Sequence, residues 1–134
     1  MLKPIRDAAI AAVQAALPAV KVGPVRTYAR NLSELPAAEV STPQQSIREM
    51  DDEGAREHTV TLQVMLMAAG AAPEDTLSAL AETVDATIHD DATLAGMVDH
   101  WDGLTITFDP GDGAETRPAL LRLSFTAVIY TPPI

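Results

Sequence analysis

The sequence predicts a single α+β domain, in which an N-terminal helix and two consecutive helices pack on one face of a largely antiparallel or mixed sheet. Three observations predict this class: an amphipathic stretch at the start, strictly alternating stretches in the middle and at the end, and two helical stretches between these. With 134 residues, of which 47% are hydrophobic, the chain fits one globular domain over residues 1–134. The absence of cysteine excludes disulfides and Cys-ligated metal centres.

The first predicted element is a helix over residues 2–17. Apolar residues, Ile5 and Val13 among them, recur at spacings of three and four, which is the period of one helix face. Pro4 occupies a first-turn position where proline is tolerated, and Pro18 limits the helix at its other end. We expect this helix to pack on the sheet, because its polar face has too few Lys and Arg residues for a membrane-surface helix.

The region from residue 20 to residue 57 is predicted to hold two short strands followed by a long acidic loop. The strands are predicted over residues 25–29 and 35–40, and Pro36 restricts the second to a sheet edge or to its own first residue. Polar and turn-forming residues then dominate residues 41–56, which we interpret as a mobile loop. Long loops in compact domains are uncommon and often carry function.

The C-terminal part of the chain has clearer patterns. Strict alternation of apolar and polar residues predicts two long strands, and three- and four-residue spacing predicts two helices between them. Acidic residues in the first turn of the longer helix are favoured by the helix dipole. The predicted elements are a strand over 58–67, a helix from Pro73 to Ile88, a short helix around Leu94 and Val98 with Asp90 or Asp91 as N-cap, a strand over 104–108, a turn over 109–113 and a strand over 121–130.

The candidate catalytic residues are the histidines His58, His89 and His100, and none of them lies in a recognisable motif. A histidine lies beside a carboxylate in His89-Asp90-Asp91 and in His100-Trp101-Asp102, which are the residue types of a general base or a metal ligand. The position of the first segment between two helices favours capping and solvation instead, and the second segment is typical of a helix C-terminus with a tryptophan partly covering the core. No serine lies in a Gly-x-Ser-x-Gly motif, and the glycines near residue 111 precede a strand instead of the helix that a phosphate loop requires.

The sequence therefore predicts no catalytic residues, no cofactor and no metal, and favours a protein that is not an enzyme. The alternative is a small metal- or ligand-binding enzyme that uses His89, Asp90, His100 and Asp102.

Charge is distributed unevenly along the chain. The formal net charge is −10, yet residues 1–48 carry six cations against three carboxylates, while residues 49–134 carry three cations against sixteen. The acidic balance argues against a nucleic-acid binder, which needs clustered cations. Chance combined with solubility is one interpretation of the asymmetry. Self-association is the other: a basic surface of one copy meets an acidic surface of the next, and such heterologous contacts close into rings when the rotation allows.

Several segments resemble a known protein family in their order and local sequence. They are the strand segment Glu57–Leu66, the helices Asp75–Ile88 and Asp91–Val98, and the closing strand Leu123–Thr131. Together they resemble the tail terminator proteins of long-tailed bacteriophages and related prophages, the minor tail protein U family. The N-terminal helix and the segment 35–40 also fit, so the resemblance covers most of the chain.

The resemblance implies a structural role in a virion tail that is assembled in the cytoplasm of a host bacterium. Proteins of this family form a hexameric ring on the end of the tail tube, stop tube polymerisation and offer a surface for head-completion or connector proteins. The implied partners are further copies of this chain, the tail tube protein and a connector protein, with no membrane and with DNA passing through unbound. Another tail-completion or head–tail connector protein is the alternative within phage assembly.

Two groups of residues are candidates for subunit or tube contact. The first consists of arginines from the basic N-terminal part, and the second of charged residues in the predicted acidic loop, which the resemblance suggests as a contact with the tube or the channel lumen. Carboxylates lining a channel would repel DNA phosphates and keep the DNA from sticking. The candidate residues are Arg26, Arg30, Arg48, Glu49, Asp51, Asp52 and Glu53.

Overall fold

The computed structural model describes residues 2–26, 34–70, 72–111 and 118–133, and it confirms the α+β class. The described strands form one sheet in the order β1-β2-β3-β5-β4, with β1 and β2 parallel and the other neighbours antiparallel. The sheet is therefore mixed, as predicted. In chain order the elements are α1 (Leu2–Ala16), β1 (Lys21–Pro24), β2 (Ala37–Glu49), β3 (Arg56–Ala68), α2 (Pro73–Asp90), α3 (Ala92–Ala95), β4 (His100–Asp109) and β5 (Ala119–Thr131).

The hydrophobic core lies between the helices and one face of the sheet. Strands β3 and β5 form its centre, because they pair along their whole lengths and place Leu62 opposite Phe125, both fully buried. Helix α1 packs mainly on β1 and β2, and α2 packs on β3 and β5. The alternation of buried and half-buried residues along β3 and β5 is the one predicted from the sequence.

The other face of the sheet is polar and partly exposed. Thr59, Thr61 and Gln63 of β3 lie there at intermediate exposure. The side-chain amide of Gln63 donates to the Ser124 hydroxyl of β5 at 3.5 Å. None of the described helices is long and apolar enough to cross a bilayer.

Strand β1 lies at Lys21–Pro24 and not at the predicted 25–29, of which residues 27–29 fall outside the described part of the chain. Pro24 is tolerated because β1 bonds to β2 on one side only and the proline is its last residue. The side-chain amide of Gln14 holds the segment between α1 and β1, since it donates to the Val20 carbonyl at 2.8 Å and accepts from the Val22 amide at 3.2 Å.

The predicted loop over 41–56 is wrong over most of its length, because β2 continues to Glu49 and only residues 50–55 connect it to β3. The distal half of β2 is exposed and therefore polar, so it lacks the buried apolar face by which a sequence distinguishes a strand from a loop. A register shift between Ser41 and Gln44 accommodates Pro43, which has no amide proton for the ladder.

Strand β4 begins at His100, so the interpretation of His100-Trp101-Asp102 as the end of a helix is also wrong. His100 pairs with Val128 of β5, and a register shift follows between Trp101 and Leu104, where Gly103 has a φ of +103°. This irregularity breaks the alternation that would reveal the strand. The short helix is confirmed at Ala92–Ala95, and its N-cap is Asp91, whose carboxylate accepts from the Leu94 amide at 2.9 Å.

Candidate functional site

The turn of the β2–β3 hairpin, residues 50–55, is held by hydrogen bonds within itself. The Met50 amide donates to the Ala55 carbonyl at 2.9 Å, which closes the turn. The carboxylate of Asp51 accepts from the Glu53 amide at 2.9 Å and from the Ala55 amide at 3.2 Å. Gly54 has a φ of +98°, in the region that favours glycine. Asp51 is therefore a turn-forming residue, a function that its acidity alone did not indicate.

The exposed side chains around this turn combine charge with apolar surface. Asp52 and Glu53 are exposed at the turn, and Ile47 and Met50 are exposed to 51% and 50%. Exposed apolar side chains rimmed by polar residues mark interaction surfaces. We call residues 47–53 the hairpin tip.

Two candidate residues of the hairpin tip lie opposite side chains of unlike charge on β3. Nη2 of Arg48 lies 3.3 Å from Oε2 of Glu57, and Glu49 is the cross-strand partner of Arg56. The exposed pairs contribute little to stability.

A buried histidine connects the hairpin to the rest of the sheet. His58 is 7% exposed, with Nδ1 3.0 Å from Nε2 of Gln45 on β2 and Nε2 3.1 Å from the Thr131 hydroxyl on β5. Each ring nitrogen thus has a protein partner, and which of the two donates depends on the tautomer. The signal available in the sequence was a polar residue on the apolar face of a strand, two positions before Val60.

The cavity beside this histidine is small and open. It measures about 320 Å³ and is lined by Gly54, Arg56, His58, Thr131 and Pro132. Both ring nitrogens already have protein partners, so the arrangement favours a structural function for the imidazole over ligand binding.

The two groups of predicted contact residues lie at opposite ends of β2. Arg26 forms an ion pair with Glu34 through side chains that are 20% and 19% exposed, and its amide donates to Oε1 of the buried Glu39 at 3.4 Å. Glu39 and Glu49 are ten residues apart on one strand, which corresponds to about 33 Å. The structure thus brings Arg48, Glu49, Asp51, Asp52 and Glu53 together and separates Arg26 from them, while Arg30 lies outside the described residues.

The other two histidines lie in different environments. His89 Nδ1 lies 2.7 Å from Oδ1 of Asp85, and its ring contacts those of Trp101 and Phe125 edge-on, at centroid distances of 5.8 and 5.6 Å. The ring of His100 lies 6.1 Å from that of Tyr130. Within the described ranges, no three His, Asp or Glu side chains form a group that could hold a metal ion.

A groove separates α2 from the edge strand β4. It has a volume of about 220 Å³, and its apolar floor is formed by Ala81, Ile106 and Leu121. Its rim carries Glu82 and Asp85. Sequence reasoning missed this groove because it depends on which strand lies at the edge of the sheet.

Comparison with known proteins supports a relationship in fold. No protein-family model and no curated protein matches the sequence. Among solved structures, the chain is similar to a chain in the structure described as "Virion of native gene transfer agent (GTA) particle". The TM-score is 0.52 at 15% sequence identity, and the alignment covers 89% of this chain and 84% of that one. At this identity the likeness establishes a common α+β fold, and it extends over most of both chains.

Proposed function

We propose that the chain is a structural protein of a phage-like virion and, more specifically, a ring-forming tail terminator that caps the tail tube, stops its polymerisation and provides the surface for head–tail joining. The observation that supports this most is the fold likeness to a chain of a gene transfer agent virion, which covers 89% of this chain and 84% of that one. The resemblance of the segments Glu57–Leu66 and Leu123–Thr131 to tail terminators points to the same kind of particle.

In this proposal the hairpin tip contacts the tail tube. Ile47 and Met50 supply apolar contact area, and the exposed carboxylates of Asp52 and Glu53 supply charge at the rim. The turn is fixed by the hydrogen bonds of Asp51 before any partner binds, so less conformational entropy is lost on docking. The same carboxylates disfavour DNA binding where they approach the channel.

The proposal assigns no catalytic function to the chain. His58 has hydrogen-bond partners on both ring nitrogens, and His89 is paired with Asp85 and packed against Trp101. These contacts support structural functions for the two histidines. The enzyme alternative predicts an activity that is lost on replacement of His89, Asp90, His100 and Asp102 by alanine while the domain stays folded.

The test of the terminator proposal is the length of tail tubes assembled with and without this chain, measured by electron microscopy. We expect tubes of variable length without it, which fail to join filled capsids, and uniform tubes once the purified protein is added. If tubes assembled without the protein are uniform in length but fail to join capsids, the chain is a head–tail connector and not a terminator. Uniform tubes that join normally would contradict both.

A further inference from the structure

We propose that the groove between α2 and β4 is the docking surface for the α1–β1 side of a second copy of this chain. The proposal rests on the ring-forming function above and names the two surfaces that would meet. Strand β4 lies at one edge of the described sheet and β1 at the other. Contact between opposite edges of two copies is heterologous, so it can repeat around a ring.

The groove exists because the core covers the edge strand β4 incompletely: Leu104 and Phe108 pack against the core, whereas Ile106 between them stays exposed. Ile106 of β4 and Leu123 of β5 are cross-strand partners and therefore lie on the same face. Leu123 is fully buried under α2, whereas Ile106 is 53% exposed. An exposed isoleucine in a groove with an apolar floor is a site that a neighbouring surface can fill.

The rim of the groove carries negative charge on one face of α2. Ser78, Glu82 and Asp85 follow each other at spacings of four and three, so they lie in one row along the helix. The whole segment 72–111, which forms α2, α3 and β4, contains nine carboxylates and no Lys or Arg. A partner for this groove therefore needs an apolar surface bordered by cations.

The α1–β1 side of the same chain has this composition. Lys3 and Arg6 share one carboxylate, that of Asp7, at 2.7 and 3.3 Å, which leaves a net positive charge on the helix. Lys21 is exposed at the start of β1. Exposed alanines of α1, Ala11 and Ala15, allow close approach of another surface.

Charge complementarity selects a second copy as the occupant and fixes its orientation. Two copies with a net charge of −10 each repel one another in most orientations. A groove facing a groove would place Glu82 and Asp85 against the same carboxylates of the other copy, which disfavours a two-fold symmetric contact through the groove. The groove against the α1–β1 side is the pairing that opposite charges favour.

A charge-swap experiment tests the proposal. One variant carries Glu82→Lys and Asp85→Lys in the groove, and the other carries Lys3→Glu and Lys21→Glu on the α1–β1 side. Native mass spectrometry at low ionic strength, with tail tubes added, compares each variant alone with an equimolar mixture. We expect each variant alone to associate more than about tenfold more weakly than the wild type, because like charges then face each other.

The mixture is the decisive sample. In the groove variant alone, the lysines of the groove face the cations on the α1–β1 side of another copy of the same variant. In the mixture, these lysines face the glutamates on the α1–β1 side of the other variant. We therefore expect the mixture to restore assemblies in which the two variants alternate. Circular dichroism confirms that each variant is folded before mixing.

A matched control carries Asp90→Lys and Asp102→Lys, which make the same change in charge at two exposed positions outside both surfaces and outside the hairpin tip. We expect this control to self-associate like the wild type. If each surface variant alone assembles as the wild type does, or if the folded mixture stays monomeric, the two proposed docking surfaces are wrong. The proposed ring-forming function would still stand. A wild type that stays monomeric with tubes present would overturn the proposed function and the docking surfaces together.

Discussion

The imidazole Nδ1 of His58 on β3 lies 3.0 Å from the side-chain amide nitrogen of Gln45 on β2. The second ring nitrogen lies 3.1 Å from the Thr131 hydroxyl on β5, so one buried ring connects three neighbouring strands. These contacts occur where the hairpin leaves the part of the sheet that the helices cover. The position of the hairpin tip therefore depends on a polar contact as well as on the backbone ladder.

Replacing His58 by alanine should lower the free energy of unfolding by about 1–3 kcal/mol, because the Gln45 amide and the Thr131 hydroxyl lose their partner in a buried place. Urea unfolding followed by the fluorescence of Trp101 measures this. Thr105→Ala, at an exposed position of β4, serves as the control and should change stability by less than about 0.5 kcal/mol. Equal stabilities of the two variants would show that the buried ring contributes nothing through its hydrogen bonds.

Replacing Phe125 by alanine should cost about 3–5 kcal/mol, through lost burial and the cavity left behind. Phe125 is fully buried, faces Leu62 across the strands and contacts the Trp101 ring edge-on at 5.9 Å. The same urea experiment measures the loss. Phe125→Leu retains most of the volume and should cost clearly less, so an equal loss in the two variants would contradict the cavity argument.

The elements that the sequence predicted best are those in which one local pattern decides the structure. The strand 58–67 and the last strand alternate strictly because one of their faces is buried over the whole length. Helix α2 was predicted because the spacing of Leu77, Val84 and Ile88 follows the period of a helix with one buried face.

The elements that the sequence did not predict depend on partners far away in the chain. The exposed half of β2 has no apolar face to reveal it, and it is a strand because β3 supplies the hydrogen-bonding edge. The contact from His58 to Thr131 joins residues 73 positions apart, and no local pattern encodes it. The ion pair of Arg26 with Glu34 likewise depends on how the chain folds back before β2.

The carboxyl group of Asp7 should titrate below its ordinary pKa of 3.8, because the Lys3 ammonium donates a hydrogen bond to it; nearby charge on Lys3 and Arg6 acts in the same direction. A lowered pKa in the folded state means that the pair stabilises the fold above pH 3.8 and that this contribution is lost as the pH falls through the lower value. The effect on stability is small since the group is exposed.

The test is an NMR titration of the Asp7 carboxyl carbon in the wild type and in two variants. Lys3→Gln should raise the pKa of Asp7 towards 3.8, whereas Lys21→Gln, beyond the end of α1, should leave it unchanged. A pKa that is the same in all three proteins would remove the Lys3 hydrogen bond as the cause.

Replacing Asp51 by alanine should loosen the hairpin turn, since the amides of Glu53 and Ala55 lose their common acceptor. Faster hydrogen exchange at Met50, whose amide closes the turn, measures the effect. Asp52→Ala removes an equal charge from an exposed side chain of the same turn and should leave the exchange rate unchanged. Exchange that accelerates equally in both variants would assign the effect to charge and not to the turn.

Replacing Ile47 and Met50 by glutamate should weaken binding to the tail tube without unfolding the domain. Both side chains are about half exposed, at 51% and 50%, so little burial is lost within the monomer, whereas an apolar contact with the tube would be replaced by two desolvated carboxylates. Co-sedimentation with tail tubes measures the binding, and urea unfolding checks the fold. Tyr130→Glu, at another exposed large side chain with 42% exposure, is the matched control and should co-sediment as the wild type does. If the double variant still sediments with tubes as the wild type does, the hairpin tip is not the tube contact, and the apolar side chains at the end of β2 need another explanation.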